Sequence, residues 1–207
     1  MKRPPLLIAN EELLPEPQQA RSIARRRKLL DAAQRLFAEQ GYDATSIDDI
    51  TSRAGTASGS FYVYFRSKRQ LLIVLMHELL QRLGRVDLQP KGDFREFLLR
   101  IFDTDLESFG AIRAWHEATL ADPELAAMRG EIEAWTEERI LRLFRMLAES
   151  PRARPLRDLP VFARMMDRHF WSLLARGGGL SKRAFAREIA VAADVITHYF
   201  FADAADQ

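Results

Sequence analysis

The chain contains no cysteine. That excludes a disulfide framework, a thiolate nucleophile and a cysteine-ligated metal centre. Long apolar runs are also missing, and nothing approaches the ~20 residues needed to span a bilayer. After Lys2 and Arg3, the apolar stretch at residues 6–9 is too short for a signal-peptide core, and Glu11 and Glu12 follow closely. A cytoplasmic protein with no membrane partner is therefore expected. His77, His116, His169 and His198 fall at no recognised metal spacing. The chain has no HExxH, no phosphate-cradling glycine loop and no nucleophile elbow. The run Arg176, Gly177, Gly178, Gly179 lacks the preceding strand and following lysine of a nucleotide loop. No enzyme activity, catalytic residue, cofactor or metal is expected. Convincing strand candidates and internal repeats are absent too, which leaves an all-α chain.

What is present begins with charge. The formal net charge is only +2, but its distribution is uneven. Residues 21–69 hold ten Lys or Arg against five Asp or Glu, whereas residues 70–207 hold 19 against 21. A basic front and a near-neutral rear fit a nucleic-acid module followed by something else. The bland alternative is that the basic residues only solvate helix faces. Hydrophobic content of 47% and 207 residues suffice to bury one large or two small cores.

Residues 46–68 read as two short helices joined by a tight turn, leading into a longer helix. Ser46 can cap the first, with Asp49 three residues on as a capping box requires. Ile47, Ile50 and Ala54 share its inner face. Gly55 supplies a left-handed conformation or a close backbone approach. The second helix is expected over about residues 57–64, with Phe61 and Phe65 as its inner face. Ser67 and Gln70 cap the next helix by the same logic. This is the layout of a helix-turn-helix, whose second helix enters the DNA major groove. Ser46 and Thr45, near a helix start, can contact phosphate. Thr56, Ala57, Ser58, Ser60 and Val63 are the candidates for base edges. They are small and include no Arg, Asn or Gln, so readout should rest on hydroxyls, methyl contacts to thymine and DNA shape. Gly59 costs helix propensity, which suggests close approach to DNA or to a neighbouring helix.

Residues 29–72 also resemble the N-terminal domain of the tetracycline-repressor (TetR) family. The landmarks are Ala32, Ala33, Phe37, Gly41, Tyr42, Thr45, Ile50, Ala54, Gly55, Gly59, Tyr62, Tyr64, Phe65, Lys68 and Leu71, in order. The chain departs from the family at Thr56 and Ala57, where valine then serine is more usual, and at Phe61, where leucine is. The resemblance implies that Tyr62 clamps a phosphate, that Tyr64 makes a second contact and that Lys68 fastens the following helix to the DNA backbone. It implies double-stranded DNA as partner, a palindromic operator and a homodimer built from the last two helices. It also implies a rear domain that binds a small effector and releases the operator.

Three regions are therefore expected: a flexible arm over residues 1–20, a helix-turn-helix domain over 21–67, and a helical effector-binding and dimerisation domain over 68–207. The first helix should run from about residue 22 to Gly41, burying Ile23, Leu30, Ala33 and Phe37. Pro90, Lys91 and Gly92 suggest a break. A helix from Asp93 should end at Gly110, Asp122 followed by Pro123 should start a long one, and the last two should occupy roughly 161–175 and 182–201. The final helix carries a stripe of Phe185, Ile189, Ala192, Ile196 and Phe200. Phe102, Phe109, Trp115, Met128, Trp135, Phe144 and Phe170 are candidates to line the effector pocket, with Arg113, His116, Glu117 and His169 to orient the ligand. Bulky apolar side chains favour a hydrophobic effector. The same aromatics equally suit an ordinary core, and a ligand-independent dimeric DNA-binding or architectural protein is the alternative.

Overall fold

The computed structural model describes residues 3–9, 13–15, 17–89, 92–106, 108–155, 158–176 and 180–201, without the side chains of 103–106 and 182. Lys2, Pro90, Lys91 and the glycines at 177–179, which enter the sequence reading, lie outside the described residues. Among the described residues the regular structure is helical, apart from one isolated antiparallel bridge between Ala153 and Phe201. No helix among them is long and apolar enough to cross a membrane.

Local signals explain most helix ends. Helix α1, Ala20–Gln40, stops where Gly41 takes a φ of 88° and its N–H returns to the Phe37 carbonyl at 3.1 Å. Burial along α1 covers Leu29, Leu30, Ala32, Ala33, Leu36 and Phe37, while Ile23 is 51% exposed and lies outside the stripe. Helix α2, Ile47–Arg53, carries the complete capping box: Asp49 N–H donates to Ser46 Oγ at 3.0 Å and Ser46 N–H to Asp49 Oδ2 at 2.9 Å. A 3-10 turn, Ser58–Ser60, follows. Helix α3, Lys68–Arg85, starts with Gln70 N–H donating to Ser67 Oγ at 3.1 Å. After α4, Phe94–Leu106, and α5, Phe109–Ala121, Asp122 Oδ1 accepts the Glu124 and Leu125 N–H groups and opens α6, Pro123–Ala148. Helices α7, Leu159–Arg176, and α8, Lys182–Phe200, finish the chain, the latter capped by Ser181.

By packing, the chain forms two compact units, residues 1–85 with 107–130 and residues 86–106 with 131–207. The division falls elsewhere than residue 68, because α3 and α5 pack with α1 and with each other. In the first unit α1 lies against α2, α3 and α5. Gly110, expected to end the helix before it, instead sits in the first turn of α5. There it permits close approach to α1, since an added Cβ would lie 1.7 Å from the Gln34 carbonyl oxygen. The arm expected to be flexible places apolar side chains against this unit. Leu7 is 3% exposed, and Leu13, Leu14, Pro15 and Pro17 line a small cleft with Arg26, Tyr64, Phe65 and Val74.

In the second unit α4 packs on α8. The expected α8 stripe, Phe185, Ile189, Ala192, Ile196 and Phe200, is buried throughout. Phe102 meets Phe170 with ring centroids 4.8 Å apart, and Phe144 stacks on Phe162 at 5.3 Å. On the other side of the last two helices Val161, Met165, Val191 and Val195 are exposed, in pairs four residues apart.

Candidate nucleic-acid interface

The reading unit is a short irregular tip on a buried anchor. Phe61 and Phe65 are fully buried with their rings 5.6 Å apart, as their spacing predicts. The helix expected over 57–64 is instead the 3-10 turn followed by further turns, in which Tyr64 and Phe65 N–H groups both return to the Phe61 carbonyl at 2.9 Å. Two serines, a glycine and a β-branched valine disfavour regular helix here. What the tip offers outward is Ala57, Ser58, Gly59, Tyr62 and Val63, the last two 58% and 64% exposed. Ser58 Oγ donates to Asp48 Oδ1 at 2.9 Å, which ties the tip to α2. Ser46 stands exposed at the N-terminus of α2. Ser60 and Thr56 are half-buried, and the Thr56 hydroxyl turns back toward the Thr51 carbonyl.

Three expected DNA contacts are occupied inside the protein. Thr45 is buried, and its hydroxyl donates to the Gly41 carbonyl at 2.6 Å, because the turn after α1 leaves that oxygen without a helical donor. Lys68 Nζ donates to the Tyr42 and Thr45 carbonyls at 2.6 and 2.7 Å and lies 4.2 Å from the centre of the Tyr42 ring. Burial lowers the Lys68 pKa and raises that of Tyr42. Tyr64 is buried and faces the cleft under the arm. Tyr62, by contrast, presents its ring to solvent.

Gly59 has no structural need to be glycine. Its φ is not positive, and an added Cβ would meet nothing within 4 Å. Of its two expected justifications, the neighbouring helix is therefore removed. Gly55 is different: its φ of 65° favours glycine outright.

The effector candidates divide between the two units. Phe102, Trp135, Phe144, His169 and Phe170 belong to the second, where Phe102, Phe144 and Phe170 pack ring against ring. Phe109, Arg113, Trp115, His116 and Met128 belong to the first. His116 is exposed and Met128 half-buried. Arg113 and Glu117 are committed elsewhere: Arg113 donates to Glu117 Oε1 at 3.0 Å and to the Ala38 carbonyl at 2.8 Å, and Glu117 Oε2 accepts the Tyr42 N–H at 2.6 Å. Trp115 is 3% exposed, yet its indole N–H finds no acceptor among the described residues.

One polar group in the second unit escapes sequence reasoning. Asp167 is buried on α7, and its carboxyl is pushed up to about 7, chiefly by burial. A hydrogen bond with Thr136 and the charge of Arg168 oppose the rise, while Glu133 and Glu137 add to it. Trp171 Nε1 donates to Thr136 Oγ1 at 3.2 Å, completing a polar chain. An acid set among Phe162, Ala163 and Phe170 was the available signal.

An all-helical chain with a capped helix, a glycine turn and an exposed tip on an aromatic anchor is a helix-turn-helix protein. Residues 29–75 of the chain, which include the whole reading tip, match the model of the tetR family of bacterial regulatory proteins. The chain is 47% identical over 53 residues to an uncharacterized HTH-type transcriptional regulator of Bacillus subtilis (strain 168), YvdT. That match covers 26% of this chain and spans only 27% of the relative's length. Similarity of fold extends much further. The structure of the ketosteroid transcriptional regulator KstR2 of Mycobacterium tuberculosis superposes with a TM-score of 0.63 at 20% identity, covering 93% of this chain and all (100%) of that one. A SmeT–triclosan complex gives 0.62 at 22% identity over 87% and 93% of the two chains.

Proposed function

We propose that the chain is a cytoplasmic transcriptional repressor that binds a palindromic operator as a homodimer and is released by a small hydrophobic effector. The observation that carries the DNA reading is the tip at residues 57–63. It is fixed from behind by Phe61 and Phe65, and it combines outward Tyr62 and Val63 with a glycine that the protein's own packing does not require. Tyr62 and Ser46 are the phosphate contacts in this reading, and Ala57, Ser58 and Val63 face the bases, with Thr56 and Ser60 at the margin. One such tip makes few base contacts, and two-fold symmetry doubles them. Val161, Met165, Val191 and Val195, exposed on the last two helices, support that pairing.

Support for an effector is the unpartnered indole N–H of Trp115, which costs stability unless a ligand acceptor reaches it. The SmeT–triclosan complex, which has the same fold, points the same way. The ring-on-ring packing of Phe102, Phe144 and Phe170 favours the second reading, a ligand-independent DNA-binding dimer. Selection of genomic fragments by the purified protein, followed by footprinting, tests the proposal. A shared inverted repeat is expected; salt-sensitive binding with no common sequence refutes operator recognition. Recovered operators then serve to screen small apolar compounds for release, and the complete absence of a releasing compound would favour the second reading.

A further inference from the structure

The turn at residues 41–45 joins α1 to the helix-turn-helix and is held from two sides. From α3, Lys68 grips the Tyr42 and Thr45 carbonyls. From α5, Glu117 Oε2 accepts the Tyr42 backbone N–H at 2.6 Å. The same carboxylate fills the space beside Gly41, where an added Cβ would lie 2.6 Å from that oxygen. Arg113, one turn earlier on α5, orients Glu117 through a 3.0 Å contact and also donates to the Ala38 carbonyl in the last turn of α1. That carbonyl lies where α1 runs out of its own donors. The next α3 residue, Arg69, reaches Asp122 at 2.8 Å and Glu124 at 2.7 Å, fastening the far end of α5 as well.

Resting on the DNA-binding reading above, we infer that Glu117, oriented by Arg113, is a positioning residue for DNA binding. It holds the 41–45 turn in register, and with it the exposed cap Ser46, α2 and the tip. An isolated surface ion pair would contribute little. Glu117 differs because it makes a charge-assisted bond to main chain 75 residues away, in a turn that leads directly into the reading unit. Tight packing at Gly110 leaves α5 no room to slide without moving α1. A displacement of α5 is therefore passed to the DNA-reading turn.

The test uses a duplex selected from a random-sequence pool by the wild-type protein. Binding by Glu117→Ala, Glu117→Gln and Gly110→Ala is followed by fluorescence anisotropy across a salt series, below the unfolding temperature of each variant. Glu117→Ala should weaken binding about tenfold. The salt slope should stay unchanged, because no phosphate contact is lost. Glu117→Gln keeps an oxygen that can accept the Tyr42 N–H and should recover most of the affinity, whereas a merely structural ion pair would not be rescued. Gly110→Ala, which forces α5 off α1 and leaves Glu117 in place, should also weaken binding. Full affinity in Glu117→Ala overturns the inference, as does a Glu117→Gln variant no better than Glu117→Ala or a changed salt slope. Wild-type protein that selects no duplex overturns the DNA-binding reading itself, and this inference with it.

Discussion

Replacing Gly59 by alanine should move folding and DNA binding in opposite directions. The position is exposed, its φ is not positive, and a new Cβ has nothing within 4 Å to strike. The free protein should therefore gain about 0.4–1 kcal/mol, because alanine has fewer unfolded conformations to lose. For a domain of this size that is a rise of about 1–4 °C in Tm. In the complex, the methyl occupies space that the account assigns to the approaching DNA. Crowding a close-packed contact costs about 1–3 kcal/mol, or roughly 5- to 150-fold in Kd. Thermal unfolding by circular dichroism and anisotropy titration with a selected duplex read the two effects separately. A variant that is more stable and still binds at full strength would refute the close approach. One that is destabilised would refute the reading of Gly59 as structurally free.

Other perturbations test other parts of the account. The folded protein keeps a proton on Asp167 up to about pH 7 that the unfolded chain releases near 3.8, so stability should fall as pH rises between those values and remain lower above them. Asp167→Asn should flatten that slope and stabilise the protein near neutral to mildly alkaline pH by at most on the order of 4 kcal/mol, measured by urea unfolding at several pH values. Lys68→Met should lower stability by about 2 kcal/mol even without DNA, because its ammonium serves two main-chain carbonyls; unchanged urea unfolding would return Lys68 to a role on phosphate. Met165→Asp together with Val191→Asp should leave the fold intact and give a monomer in sedimentation, and a persisting dimer would move the interface elsewhere.

What the sequence revealed was what short-range chemistry decides. Ser46 with Asp49 and Asp122 before Pro123 each satisfy orphan helix donors within three residues, so these caps were legible and α2 and α6 begin where expected. The stripe from Phe185 to Phe200 was legible because one period carries it across α8. The Phe61–Phe65 spacing correctly marked the buried anchor but suggested too long a helix, since two contacts four residues apart also occur across consecutive turns. Side-chain destinations were beyond reach. Lys68 bends back 26 residues to Tyr42, and Arg113 and Glu117 reach 75 residues to the end of α1. No periodicity encodes such contacts. Arg113 and Glu117 therefore read as ligand-orienting groups when they pair with each other and with main chain, and Gly110 read as a helix stop when its role is a helix crossing.

The absence of cysteine gives the most direct test of the central claim that residues 57–63 lie on DNA. A Val63→Cys variant carries a unique thiol at a site that is 64% exposed, to which a copper–phenanthroline cleavage group can be attached. The same group on Leu120→Cys, at 73% exposure on α5, serves as the control. Two symmetric clusters of cuts inside the footprinted operator are expected from the Val63 label, and none from the Leu120 label. Cleavage from the Leu120 label, with the operator untouched by the Val63 label, would contradict that claim.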